Sequence, residues 1–165
     1  MLGGVLAAGM SNGNVKLYDE REGGKPAREY DGHESAIINV HFTESGGGNE
    51  LLTASATGRL RLWDVRMTHS NPTVESRAQR APMTCMTVHE RVPILATGSQ
   101  DQFINILAAD GELLSHIKNH MGFLGQRVGC ITSLAFHPHS LVLATGATDS
   151  IISIFACKDW KNEGG

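Results

Sequence analysis

One feature constrains this chain more than any other: it repeats itself. Four segments share an apolar run ending in Gly or Ala, a polar turn, and then an alternating run. They read LAAGMSNGNVKLYD (6–19), LLTASATGRLRLWD (51–64), LATGSQDQFINIL (95–107) and LATGATDSIISIF (143–155). Aligning Gly9, Ala54, Gly98 and Gly146 gives spacings of 45, 44 and 48 residues. A period in the mid-forties built from short strands is that of propeller blades and is too long for leucine-rich or ankyrin repeats. In Leu60-Arg61-Leu62-Trp63 the apolar side chains at 60 and 62 fall on one face, as they do in Val15-Lys16-Leu17, Ile104-Asn105-Ile106 and Ile152-Ser153-Ile154. That period of two excludes helical repeats of similar length.

The punctuation agrees. Gly makes up 19 of 165 residues, above the usual 7% or so, which implies many tight turns. Ser11-Asn12-Gly13, Ala56-Thr57-Gly58, Gln100-Asp101-Gln102 and Thr148-Asp149-Ser150 are the expected hairpin turns. Further strands are expected at Ile37–Phe42, Met83–Val88 and Ile131–Phe136 ahead of three hairpins, at Glu112–Ile117, and more weakly at Arg28–Tyr30 and Thr73–Glu75. Four short antiparallel strands per repeat make a blade. The expectation is an all-β chain, a partial β-propeller with about four blades' worth of short antiparallel strands. Blade parts fall near 1–30, 33–76, 83–117 and 130–157, with a tail at 158–165.

Gly32-His33 precedes Trp63-Asp64, and another repeat closes on Tyr18-Asp19; this pattern resembles the WD-repeat family, which makes the expected fold a partial WD-repeat β-propeller. In WD repeats a His, a strand hydroxyl, a turn Asp and the Trp form a network that locks the blade. The resemblance implies His33, Ser55 and Trp63 in those roles, with Thr57 where the Asp would stand. The turn position is Asn12, Asp101 and Asp149 in the other repeats, which lack the Trp.

A narrower resemblance lies in GFLGQRVG (122–129) and ITSLAFHPH (131–139), with LRLWDVRM (60–67), Gln102-Phe103-Ile104 and Asp110-Gly111-Glu112-Leu113 in support. These stretches resemble the C-terminal propeller of the raptor family, the scaffold subunits of target of rapamycin complex 1. Members are far longer, and their caspase-like and helical-repeat regions have no counterpart here. The resemblance therefore implies about three and two-thirds blades of a larger ring, with the remaining blades as a partner. It further implies a non-catalytic scaffold that presents substrates to the kinase in nutrient-responsive growth signalling. The expected setting is cytoplasmic, reaching lysosomal membranes through partners. The alternative is a WD-repeat adaptor of another complex, such as a ubiquitin-ligase substrate receptor.

The remaining signals mostly exclude. Lys plus Arg is 14 and Asp plus Glu 17, a net charge of −3, which argues against a sequence-independent nucleic-acid binder. The apolar opening run 1–10 is too short to span a bilayer, so no direct membrane insertion is expected. Cys85, Cys130 and Cys157 are three, far apart and without a CxxC, which points to neither a disulfide framework nor a zinc cage. His116 and His120 would share a face only on a helix, and His137 and His139 flank a proline, so no metal and no cofactor are expected. His33 and Ser55 superficially suggest a triad, but residue 57 is Thr and not the acid that a nucleophilic site needs. No catalytic residue is assigned. One loop, 119–129, earns a functional reading: Phe123, Gln126 and Arg127 are residue types enriched at protein interfaces, set between glycines on a rigid scaffold. The competing reading has Phe123 packed under its own loop and Arg127 paired locally.

Overall fold

A computed structural model describes residues 4–43, 48–67, 71–118 and 129–157. Among them the chain forms four antiparallel sheets and no α-helix. Sheet 1 holds β1 (Val5–Gly9), β2 (Asn14–Asp19) and β3 (Pro26–Asp31). Sheet 2 holds β4 (Ile37–Thr43), β5 (Glu50–Ser55), β6 (Arg59–Asp64) and β7 (Val74–Arg77). Sheet 3 holds β8 (Met83–Val88), β9 (Ile94–Ser99), β10 (Phe103–Ala108) and β11 (Leu113–Lys118). Sheet 4 holds β12 (Ile131–Phe136), β13 (Val142–Ala147) and β14 (Ile152–Ala156). Every sheet is a meander in chain order, as the repeat predicts.

The sheets stack, and the core lies in the wedges between them. Leu51 and Leu52 are neighbours on β5, so their side chains leave opposite faces. Leu51 joins Val15, Leu17, Tyr30, Trp63 and Val65 against sheet 1. Leu52 joins Leu60, Met83, Met86, Leu95 and Leu107 against sheet 3. Leu95 and Ala96 divide in the same way, with Ala96 joining Ile104, Ile131 and Leu143 toward sheet 4. Burial on both faces is why these central strands read as continuous apolar runs. The Gly or Ala that ends each run is explained by close approach: a Cβ on Gly9 would stand 2.4 Å from Ile37 Cγ2, and one on Gly98 2.7 Å from Ile131 Cγ2.

The end sheets are covered on one face only. By register Ile152 matches Leu60 and Ile104, each paired to the residue that ends the preceding run. Leu60 is 3% exposed and Ile104 0%, but Ile152 is 76% exposed and Ile154 71%. Leu6, the counterpart of Leu51, is 66% exposed. Sheets 1 and 4 therefore each present a bare apolar face, as a partial propeller must.

Candidate functional site

The best-defined polar site lies inside the wedge between sheets 1 and 2. His33 enters from the loop before β4, Thr53 sits on β5, and Trp63 on β6; all three are buried. Thr53 Oγ1 is 2.7 Å from His33 Nε2 and 2.9 Å from Trp63 Nε1, whose N–H donates to it. The Thr53 hydroxyl donates its one proton to the Arg61 carbonyl at 3.3 Å. Trp63 takes one lone pair of that oxygen, so the other accepts from His33 Nε2–H. This fixes the tautomer and leaves His33 Nδ1 as a buried acceptor without a partner. Burial, reinforced by the Arg61 charge and weakly opposed by Glu75, lowers the His33 pKa to about 4.

Ser55, expected to bridge His33 and Trp63, is placed elsewhere. Alternation puts residues 53 and 55 on one face, but Thr53 is paired with Arg61, two residues from Trp63, while Ser55 lies at the turn. Ser55 Oγ bonds Thr57 Oγ1 at 3.1 Å and accepts from the Arg59 N–H at 3.3 Å. Thr57 bonds on to Ser35 at 3.3 Å. Hydroxyls thus close the turn where a carboxylate does so in sheet 3, where Ser99 donates to Asp101.

Sheet 3 carries a second hub that the sequence reading missed. Gln79 is buried, and its Nε2 donates to Thr97 Oγ1 at 3.0 Å and to the Thr97 carbonyl at 3.1 Å. Thr97 pairs with Asn105 as Thr53 pairs with Arg61, and Leu107 occupies the register of Trp63. The available signal was spacing, since His33 and Gln79 both stand four residues before an inner strand, at Ile37 and Met83.

Phe123, Gln126 and Arg127 lie outside the described residues, as do His120 and the tail. The far end of their loop is anchored, with the Gly129 N–H donating to Asp149 Oδ2 at 3.1 Å. His116 stacks on Phe103 with ring centres 4.3 Å apart and its Nδ1 is 2.5 Å from Asn105 Oδ1. His137 Nδ1 accepts from the His139 N–H at 3.1 Å and bonds Ser140 Oγ at 2.8 Å. Among the described residues no three His, Cys, Asp or Glu side chains converge as metal ligands. All three cysteines are free, and burial raises the Cys85 thiol pKa. No described helix is long and apolar enough to cross a membrane.

The lowered His33 pKa gives a signed prediction. An unfolded His takes a proton near pH 6.5, whereas the folded one stays neutral down to about 4. Stability from neutral His33 is therefore present above 6.5 and lost as pH falls toward 4, about 2 kcal/mol of it between pH 7 and pH 5. In His33→Gln the amide takes the place that Gln79 holds in sheet 3 and does not titrate. Urea unfolding at pH 7 and pH 5 is expected to show that extra acid loss in the parent chain and not in the variant.

Residues 24–64 and 111–155 match the family described as WD domain, G-beta repeat. The chain is 39% identical over 155 residues to the Dictyostelium discoideum protein raptor homolog, covering 93% of this chain and 10% of that protein. It is 37% identical over 166 residues to target of rapamycin complex 1 subunit mip1 of Schizosaccharomyces pombe, covering 96% of this chain and 12% of that one. Among solved structures, Chaetomium thermophilum Raptor superposes with a TM-score of 0.83 at 27% identity, covering 95% of this chain and 15% of that chain. The chain thus spans about a tenth of the length of these relatives.

Proposed function

Since this chain belongs to the WD-repeat family, and since its similarity to raptor homologues runs through nearly all of it, we propose that it is a scaffold segment of a target of rapamycin complex 1 subunit. The observation that carries the reading is the extent of that similarity, which takes in all four sheets and not one repeat alone. In this role the segment performs no chemistry. Its polar groups are spent on locking sheets: His33, Thr53 and Trp63 in one wedge, Gln79 and Thr97 in the next. The product is a rigid platform whose loops are free to vary. We read sheets 1 to 4 as blade parts near 1–30, 33–76, 83–117 and 130–157, followed by a tail at 158–165. Further blades of a longer polypeptide cover the bare faces at Leu6 and Ile152. The partners are the target of rapamycin kinase, its substrates and its regulators, met in the cytoplasm and at lysosomal membranes during the response to nutrients. Phe123, Gln126 and Arg127 form the contact loop.

The test is affinity purification of the tagged protein that carries this chain, with residues 119–129 either intact or replaced by a Gly-Ser linker. Recovery of the kinase is expected to fall several-fold with the linker, as for loss of an interface hot spot. Undiminished recovery would remove the loop from the interface.

A further inference from the structure

Three wedges separate the four sheets, and one of them is incompletely filled. The last apolar residue of each inner strand pairs with a buried leucine on the next strand: Phe42 with Leu51, Val88 with Leu95, and Phe136 with Leu143. Phe42 packs into the wedge between sheets 1 and 2, and Phe136 into that between sheets 3 and 4. Between sheets 2 and 3 the same seat holds only Val88. A second seat follows the same pattern. Val65, whose N–H donates to the Asn49 carbonyl, is 5% exposed and fills the first wedge. Ala109, whose N–H donates to the Pro93 carbonyl, holds that register in the middle wedge. A cleft of about 760 Å³ opens over these two smaller side chains, floored by Leu52, Leu62, Val88 and Leu95. That volume is within the range of ligand sites.

We propose that this cleft is a docking site for a phenylalanine side chain projecting from a partner protein. The occupant is argued from the chain itself, which supplies a phenyl ring at this seat in both sister wedges and omits it here. The residue after Val88 turns the other way: the His89 ring packs edge-on against Phe136 with ring centres 5.4 Å apart, so its imidazole belongs to the wedge between sheets 3 and 4. Glu50, Glu90 and Arg91 at the rim carry both signs, so fit rather than net charge selects the occupant. The site is remote in sequence from loop 119–129 and does not rest on the scaffold reading.

The test uses fluorescein-labelled Gly-Phe-Gly-Gly and Gly-Ala-Gly-Gly peptides, blocked at the C-terminus, titrated by anisotropy into the whole 165-residue chain with its strand content checked by circular dichroism. The phenylalanine peptide is expected to bind at least about tenfold more tightly, as burial of a phenyl ring implies. Val88→Phe fills the seat from within and is expected to abolish that preference while leaving the melting temperature equal or higher. Ala109→Val, a smaller change that restores the residue of the first wedge, is expected to weaken binding several-fold and guards against overpacking at 88. Equal binding of the two peptides, or a preference that survives in a folded Val88→Phe chain, would overturn the proposal.

Discussion

Trp63→Ala is expected to destabilise the chain by about 4 kcal/mol, since Trp63 is the largest fully buried side chain among the described residues. The indole is 1% exposed, lies 5.3 Å centre to centre from the Tyr30 ring, and donates to the hub oxygen of Thr53. Its removal opens a cavity in the wedge between sheets 1 and 2 and takes away a donor that held Thr53 in place. Small domains have about 5–15 kcal/mol in total, so much of the molten population would appear at moderate urea. Trp63→Phe is the intermediate case: it keeps a six-membered ring in the wedge but loses the N–H and the pyrrole part of the indole, with an expected cost of about 2 kcal/mol. Urea midpoints by circular dichroism measure both; a Trp63→Ala cost under about 1 kcal/mol would mean that the wedge does not hold the sheets together.

The second large effect comes from a residue without a side chain. Gly58 turns β5 into β6 at φ +87°, and a Cβ there would stand 2.2 Å from the Gln79 carbonyl oxygen. The Gly58 carbonyl accepts from the N–H groups of Ala78 and Gln79 at 2.8 and 3.2 Å, so the turn of sheet 2 clasps the segment entering sheet 3. Gly58→Ala adds backbone strain of about 1–2 kcal/mol to a backbone clash of similar size, for roughly 3 kcal/mol in all. Gly24→Ala is the matched control, since it shares a left-handed φ of +85° but has nothing within 4 Å of its Cβ. Its expected cost is the strain alone, about 1 kcal/mol. Equal costs at the two positions would show that the clasp carries no weight.

Much of this architecture was legible in the sequence because of where it is buried. β5 and β9 lie between two sheets, so both faces had to be apolar and each repeat stood out. Outer strands gave a fainter signal, and β3 extends over Pro26–Asp31 where the pattern marked only Arg28–Tyr30. Most of its side chains meet water, and an unburied face imposes no alternation. The hub was half legible. His33 and Trp63 are distinctive residue types, but both Thr53 and Ser55 offer a hydroxyl on the same face, and only register decides between them. Gln79 was hidden because an amide performs the task of an imidazole, and only its four-residue lead on β8 betrays it. The cleft between sheets 2 and 3 was invisible, since only the strand register shows that Val88 and Ala109 stand where Phe42 and Val65 stand in the first wedge.

The most direct test of the central claim is the identity of what co-purifies with the tagged protein carrying this intact chain from its own cells. The scaffold account predicts the target of rapamycin kinase among the proteins recovered in stoichiometric amount. Recovery of ubiquitin-ligase subunits with no trace of that kinase would contradict it, and would leave the four sheets as a WD-repeat adaptor serving another complex.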